Sequence, residues 1–309
     1  MVTEADPTID TLRRFNRAWS QRVGALEDSF LGTGRSLGAS RLLFEMGSDG
    51  AGVLDLRRRL GLDSGYLSRL LRGLEDEGLV EVRPDPADQR RRFVVPTASG
   101  RRAVARLDDR SERRAFDLVQ PLGPSQRRRL VEALDIAGRL IRAATVSLER
   151  APAGSPDAVS AVRRYFAELD ARFPGGFDAG DAATSDVAGM SPPYGVFLVG
   201  RVDGEVMACG GLQRHRRTIG EIKRMWISPE WRGCGIGARM LAALEDEARG
   251  LGYRTVHLDT NGTLVEAIAM YGRSGYHPIE RYNDNPYAQA WFAKPLPGDY
   301  PEWARGSTR

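Results

Sequence analysis

The run Trp231-Arg232-Gly233-Cys234-Gly235-Ile236-Gly237 is where residue types and spacing in this chain most directly suggest chemistry. Closely spaced glycines let the backbone turn tightly and aim several N–H groups one way. A helix N-terminus beside them adds partial positive charge, so the pattern suits a pyrophosphate. Such a loop needs a strand to deliver the chain and a helix to carry it away. Residues Ile219 to Ile227 alternate as a strand should. From Ala238 to Leu251, Met240, Leu241, Leu244 and Ala248 fall on one helical face. Gly235-x-Gly237 is too short for the dinucleotide fingerprint, and no Gly-Lys-Ser/Thr follows to make a triphosphate loop. Taken alone, the loop has a rival reading as a ligand-free glycine turn.

The neighbouring segments sharpen this. A strand carrying Glu221 precedes the loop. After the helix come a strand at Thr255 to Thr260, a second helix ending Ala267-Ile268-Ala269-Met270-Tyr271, and the segment Gly272-Arg273-Ser274-Gly275-Tyr276. This order resembles the GNAT acetyltransferase family, whose acetyl-coenzyme A loop has the form Arg/Gln-x-x-Gly-x-Gly/Ala, over roughly Val159 to Leu296. The resemblance implies that the loop amides from Arg232 through Ala238 (Gly233, Cys234, Gly235, Ile236 and Gly237 between them) hold the pyrophosphate. It also implies that the backbone of Met225, Trp226 and Ile227 pairs with pantetheine at a splayed strand edge.

The chemistry follows from a thioester. An uncharged amine must attack its carbonyl, and strand amides near Met225 to Ile227 can face the developing oxyanion. A phenol can protonate the leaving thiolate. Tyr271 stands where GNAT proteins commonly carry that Tyr; its other reading is a buried aromatic anchor. Glu221 is either the group that deprotonates the ammonium or one half of a surface pair with Lys223, since strand alternation places it on the face of Lys223 and Met225. Many members have an Asn seven residues before the Tyr, where this chain has Leu264; Asn261 is the alternative cofactor contact. Cys234 reads as a small loop residue. Asp284, in the turn-rich segment Tyr282 to Tyr287, is a candidate for a cationic acceptor, with an ordinary hairpin connection as the rival. A small amine, an amino acid and a protein lysine all fit as acceptor.

A chain of 309 residues with 41% hydrophobic and 28% charged residues suggests two globular domains. No apolar run approaches the ~20 residues that span a bilayer, no signal segment is evident, and two Cys make no disulfide framework, so no membrane association and a cytoplasmic location are expected. Three His without paired spacing argue against a metal site. Residues 1–150 hold 27 Arg and no Lys against 22 acids, a net of +5, whereas 151–309 hold 18 basic and 19 acidic residues, a net of −1. The basic first half suggests an anionic partner. The Pro/Gly-containing segment Ala151 to Pro156 marks the boundary, and Phe173 to Pro193 reads as a flexible loop.

Helices are predicted at Thr8 to Phe30, Ser36 to Met46, Val53 to Leu60, Ser64 to Glu77, Ala98 to Gln120 and Ser125 to Arg150. Asp63 is the N-cap of the fourth. There Leu67, Leu70, Leu71 and Leu74 make an apolar stripe, leaving Ser64, Gly65, Ser68, Arg69 and Arg72 outward, which is helix-turn-helix organisation. Small outward residues allow close approach to a groove floor, and Arg reaches phosphates or guanine edges. Strands at Leu79 to Arg83 and Phe93 to Pro96 flank a loop rich in Arg. The string Leu67 to Val80 looks like the recognition-helix segment of the MarR regulator family, and with Asp85-x-x-Asp88-x-Arg90 and Pro96-Thr97-x-x-Gly100 the resemblance covers about residues 7 to 149. That implies a homodimer on a pseudo-palindromic double-stranded operator, with Arg90 entering the minor groove and Arg91 contacting backbone or merely solvated.

The expected architecture is therefore a mainly-α winged helix-turn-helix domain at 1–150, then an α+β GNAT-like domain at 157–298 with a mixed, mostly antiparallel sheet flanked by helices. The expected function is a transcriptional regulator that is also an acetyl-coenzyme A-dependent N-acetyltransferase. The alternative is a regulator whose second domain only senses acetyl-coenzyme A or another ligand.

Overall fold

A computed structural model describes residues 6–85, 88–180 and 187–298. Part of the wing tip and part of the predicted loop at Phe173 to Pro193 lie outside them. Two compact units divide between Val131 and Glu132.

The first unit contains α1 (Pro7–Arg22), α2 (Leu37–Glu45), α3 (Val53–Leu60), α4 (Ser64–Asp76) and α5 (Ala98–Val119), with a small sheet of β1 (Ala51–Gly52), β3 (Arg92–Pro96) and β2 (Val80–Pro84) in that order. Its core joins Leu42 and Leu43 of α2, and Met46 at its C-cap, to Leu56 of α3, to Leu67, Leu71 and Leu74 of α4, and to Val80 and Val94 of the sheet. The predicted helix beginning at Thr8 stops at Arg22 rather than Phe30, and Gly24 follows at φ 74, a conformation that favours glycine.

Helix α6 (Pro124–Ala144) begins in the first unit and ends in the second. Its predicted continuation to Arg150 is corrected. Thr145 closes on the Arg142 carbonyl through N–H and hydroxyl, and Ser147–Arg150 becomes strand β4, antiparallel to β5 (Val196–Val202). Val146 and Leu148, two residues apart, both pack on the core, a period of two that fits a strand.

The second unit is built on a seven-stranded sheet, ordered β4-β5-β6-β7-β8-β10-β9, with β6 (Glu205–Arg216), β7 (Ile219–Ile227), β8 (Thr255–Thr260), β9 (His277–Pro278) and β10 (Ala290–Pro295). Only β7 and β8 run parallel among these pairs. Arg214 to Arg216 are the last residues of β6. Alternate residues of β5 feed opposite faces. Val196 and Leu198 pack under α8 (Ile236–Gly250), while Phe197 and Val199 pack under α7 (Pro156–Arg172). Helix α9 (Val265–Arg273) follows β8.

Candidate functional site

The ladder between β7 and β8 covers only Ile219 to Glu221 against Thr255 to His257. Beyond it, Met225, Trp226 and Ile227 line a cavity of about 670 Å3. The cavity is also walled by Arg232, Gly233, Gly235, Gly237 and Ala238 of the glycine loop, by Leu264, Met270 and Tyr271 of the α9 region, and by α7. Most of the predicted cofactor residues are thus brought together by one opening between two strands.

Gly233 and Gly235 have φ of 78° and 79°, which only glycine adopts without strain. Gly235 is the N-cap of α8 and supplies no side-chain cap, so the first-turn amides face outward without an intrahelical acceptor. A Cβ on Gly237 would stand 2.9 Å from Met270 Sδ, so this glycine permits the close approach of α8 and α9. A glycine-bordered cradle of amides fits a pyrophosphate, and coenzyme A carries one. Two members of the predicted run do not line the cavity. Ile236 is buried in the main core, and Cys234 packs partly against that core with its thiol 3.8 Å from the Arg232 carbonyl. Cys209 is buried on β6, where burial pushes its thiol up to about 12.

Helix α7 supplies a wall the sequence reading did not foresee. Tyr165, Glu168, Leu169 and Arg172 line the cavity at spacings of three, one and three; that is a single helical face and was available as a signal. Glu168 accepts from Trp226 Nε1 at 2.8 Å, from Arg172 Nη1 at 3.2 Å, and from Arg232 Nη2. Partial burial works against its charge, but these bonds, led by that of Arg232, hold the carboxyl below its ordinary range. Arg232 also donates Nε to the Ile227 carbonyl, pinning the loop to the end of β7. Arg172 reaches Glu266 of α9 at 3.1 Å, so one helix ties both lips of the opening.

Tyr271 is buried and lines the cavity, its ring 6.0 Å from Phe292 and 5.9 Å from Tyr276. Burial, then the charges of Tyr165 and Asp259, raise its phenol well above the ordinary value, so it stays protonated at neutral pH. Burial likewise pushes Tyr165 up to about 12.

Glu221 does not line this cavity. It is only 4% exposed, and both oxygens are engaged: Oε1 accepts from Tyr282 at 2.9 Å and Asn283 at 3.2 Å, Oε2 from Gln213 at 2.8 Å, with Lys223 Nζ at 3.9 Å. The expected shared face of Glu221 and Met225 is corrected. The pairing shifts between Cys209↔Trp226 and Gly211↔Lys223, placing an extra residue on β7, and Arg224 adopts φ 56. This bulge inverts the alternation. Met225 and Ile227 join Ile222 on the α8 side, and Trp226 turns to Glu168 of α7. Asn261 is also outside the cavity lining: its Nδ2 donates to the Tyr287 carbonyl at 2.7 Å and its Oδ1 accepts from Thr263. Asp284 is fully exposed and paired to Arg281 at 3.2 Å.

In the first unit, Asp63 accepts from the Tyr66 amide at 2.8 Å and caps α4. Gly61, at φ 62, ends α3 and makes the turn between the two helices. Ser64, Gly65, Arg69 and Arg72 are exposed and Ser68 is half-exposed, opposite the buried leucine stripe. Between β2 and β3, Asp88 accepts from the Arg90 amide and pairs with Arg91 at 3.2 Å, shaping the tip and leaving the Arg90 side chain outward. A helix-turn-helix followed by a wing defines this unit.

Comparisons with known proteins match stretches within both units. The acetyltransferase (GNAT) family model matches residues 163–276, and the MarR family model matches 33–91. The chain is 33% identical over 140 residues to an IAA acetyltransferase of Azospirillum brasilense, a match covering 44% of this chain and 91% of that protein. It is 30% identical over 80 residues to the uncharacterized HTH-type transcriptional regulator YdgJ of Bacillus subtilis (strain 168), covering 26% of this chain and about half (49%) of that one. Among solved structures, an aminoglycoside 6'-N-acetyltransferase complexed with coenzyme A aligns with a TM-score of 0.39 at 16% identity, over 50% of this chain and 98% of that one. The molecule joins a helix-turn-helix-and-wing unit to a unit that matches the acetyltransferase (GNAT) family model. This chain belongs to the GNAT acetyltransferase family and carries a MarR-family winged helix-turn-helix ahead of that domain.

Proposed function

We propose that residues 157–298 transfer acetyl from acetyl-coenzyme A to an amine, a small molecule or a protein lysine, and that residues 1–150 bind double-stranded DNA as a homodimer. The observation that carries the enzymatic reading is a protonated, buried phenol in the same cavity as an uncapped helix N-terminus. The amides of Gly233 to Ala238 hold the diphosphate, and the β7 edge from Met225 to Ile227 aligns the pantetheine arm. The bound thioester supplies the acetyl group. Tyr271 protonates the departing sulfur, and the carboxylate network that begins at Glu221 receives the proton of the incoming ammonium. No metal is invoked.

For DNA, Ser64, Gly65, Ser68, Arg69 and Arg72 face the major groove, Arg90 the minor groove, and Arg91 the backbone. Dimerisation is supported by α1, which buries none of its residues and exposes Ile9, Leu12, Phe15 and Trp19, and by exposed Leu134, Ile141 and Leu140 on α6. Among the described residues no helix is long and apolar enough to cross a membrane.

The test is direct. The full-length protein should bind coenzyme A and release thiol from acetyl-coenzyme A only when an amine is added. Tight coenzyme A binding without thiol release for any amine would make the second domain a sensor. Binding to its own promoter should weaken steeply with salt.

A further inference from the structure

Resting on the acetyl-transfer reading, we propose that the acceptor is a small amine carrying one apolar group and a carboxylate, in chemical class an apolar amino acid, and that a second cavity under α7 holds its apolar group. The cavity has a volume of about 200 Å3. Val159, Val162 and Phe166 of α7 line it, together with Met190 and with Phe197 of β5. The α7 residues, with Arg163 among them, fall three, one and three apart, a single helical face. Gly211 of β6 lets Met190 lie close to the sheet, because a Cβ there would collide with Met190 Sδ. An apolar cavity of about 150 Å3 holds a benzene ring. One aromatic ring or branched alkyl group therefore fits, whereas a sugar would leave its hydroxyls unpaired against these walls.

Three walls tie this cavity to the acetyl-transfer site. On α7, Phe166 lines it while Tyr165 lines the cofactor cavity, their ring centroids 5.6 Å apart. On β7, Arg224 lines it and the next residue, Met225, lines the other. The third wall is Met190. Its neighbour Gly189 lies against Gln213, since a Cβ there would stand 2.7 Å from Gln213 Oε1, and Gln213 donates to Glu221 at 2.8 Å. An acceptor seated here is flanked by the thioester edge on one side and by the carboxylate network on the other.

Charge selects among such amines. Arg163 and Arg224 line an otherwise apolar cavity, Arg224 with its guanidinium 4.5 Å from the Phe166 ring centroid, and no acidic side chain among the described residues lines it. A carboxylate on the acceptor matches a guanidinium fork, while a second ammonium is repelled. The transfer balances. The ammonium gives one proton to the Glu221 network, and its freed lone pair forms the C–N bond at the thioester carbonyl. The C–S bond breaks with its pair on sulfur. Tyr271 protonates that sulfur and regains the proton that the new amide nitrogen sheds.

The experiment measures thiol release from acetyl-coenzyme A by full-length protein with L-phenylalanine, L-leucine, phenethylamine, putrescine and a lysine peptide. The wild type should favour both amino acids over putrescine and the peptide by about tenfold or more in kcat/KM. Val162→Trp fills the cavity and should lower kcat/KM for L-phenylalanine by roughly 100-fold, through KM, with coenzyme A affinity unchanged. Arg163→Gln combined with Arg224→Gln should cut the preference for L-phenylalanine over phenethylamine roughly tenfold, through lost charge-assisted hydrogen bonds. Three results overturn the assignment alone: putrescine or the peptide preferred by the wild type, L-phenylalanine turnover untouched by Val162→Trp, or a preference untouched by the double arginine change. If Val162→Trp no longer holds coenzyme A, Val162→Ala decides. The wider cavity should raise the ratio of L-tryptophan to L-phenylalanine turnover about tenfold, and an unchanged ratio counts against the proposal. A wild-type protein that releases no thiol with any amine overturns the acetyltransferase reading and this one with it.

Discussion

Helices α4 and α8 both begin at candidate binding sites, yet their entrances are finished differently. Asp63 caps α4 with its own carboxylate, whereas Gly235 gives α8 no side chain at all. At α4 an anion is already present, so recognition must come from outward side chains such as Arg69. At α8 the amides themselves are left open, and a diphosphate can be held by backbone. Side-chain recognition should respond to substitution in graded, nearly additive steps. Backbone recognition should respond abruptly, and only to changes that move the chain.

The largest expected effect lies in the enclosed site. Tyr271→Phe should lower kcat by roughly 10²–10⁴-fold without changing coenzyme A affinity, measured by thiol release and equilibrium binding. Because burial raises this phenol, its acid form persists past the ordinary value near 10, so wild-type activity should not fall on the alkaline side through about pH 9 from loss of this proton. An alkaline decline centred near pH 8 that Tyr271→Phe abolishes would contradict the burial. Next, Gly235→Val forces a β-branched residue to φ 79 and should weaken coenzyme A binding by about 100-fold, the loss of two charge-assisted hydrogen bonds. Normal affinity in that variant would mean the loop amides are not the grip.

Smaller effects belong to the DNA face. Arg69→Ala and Arg90→Ala should each cost about 1–3 kcal/mol in promoter affinity and add in the double variant. If either single change removed binding outright, the contrast between graded and abrupt recognition would collapse. Smallest of all, Asp63→Ala should cost about 1 kcal/mol of stability in denaturant unfolding, through the lost Tyr66 amide bond.

These same elements show what the sequence made readable. The α4 stripe, the Asp63 cap, the Thr255–Thr260 strand and the glycine loop are local patterns, and each stands where spacing predicted. The end of α6 was misread because Ser147–Arg150 carries no breaker; its strand exists only because β5 offers an edge. The face of Glu221 was misread because a bulge is a property of two strands in register, and nothing in Lys223-Arg224-Met225 announces an extra residue. The α7 wall was overlooked although Tyr165, Glu168, Leu169 and Arg172 share one face, since a face acquires meaning only from what lies opposite it.

The odd residue at Arg224 has a further implication. A left-handed non-glycine residue costs on the order of 1 kcal/mol, offset in part by the Cys209 thiol donating to its carbonyl. What that cost sustains is parity: upstream of it β7 counts its faces one way, downstream the other. The two proposed chemistries, proton handling near Glu221 and thioester alignment near Met225, would thereby occupy opposite sides of a single ribbon four residues apart. Removing one residue there would leave length and composition almost untouched while exchanging inside for outside along the rest of the strand.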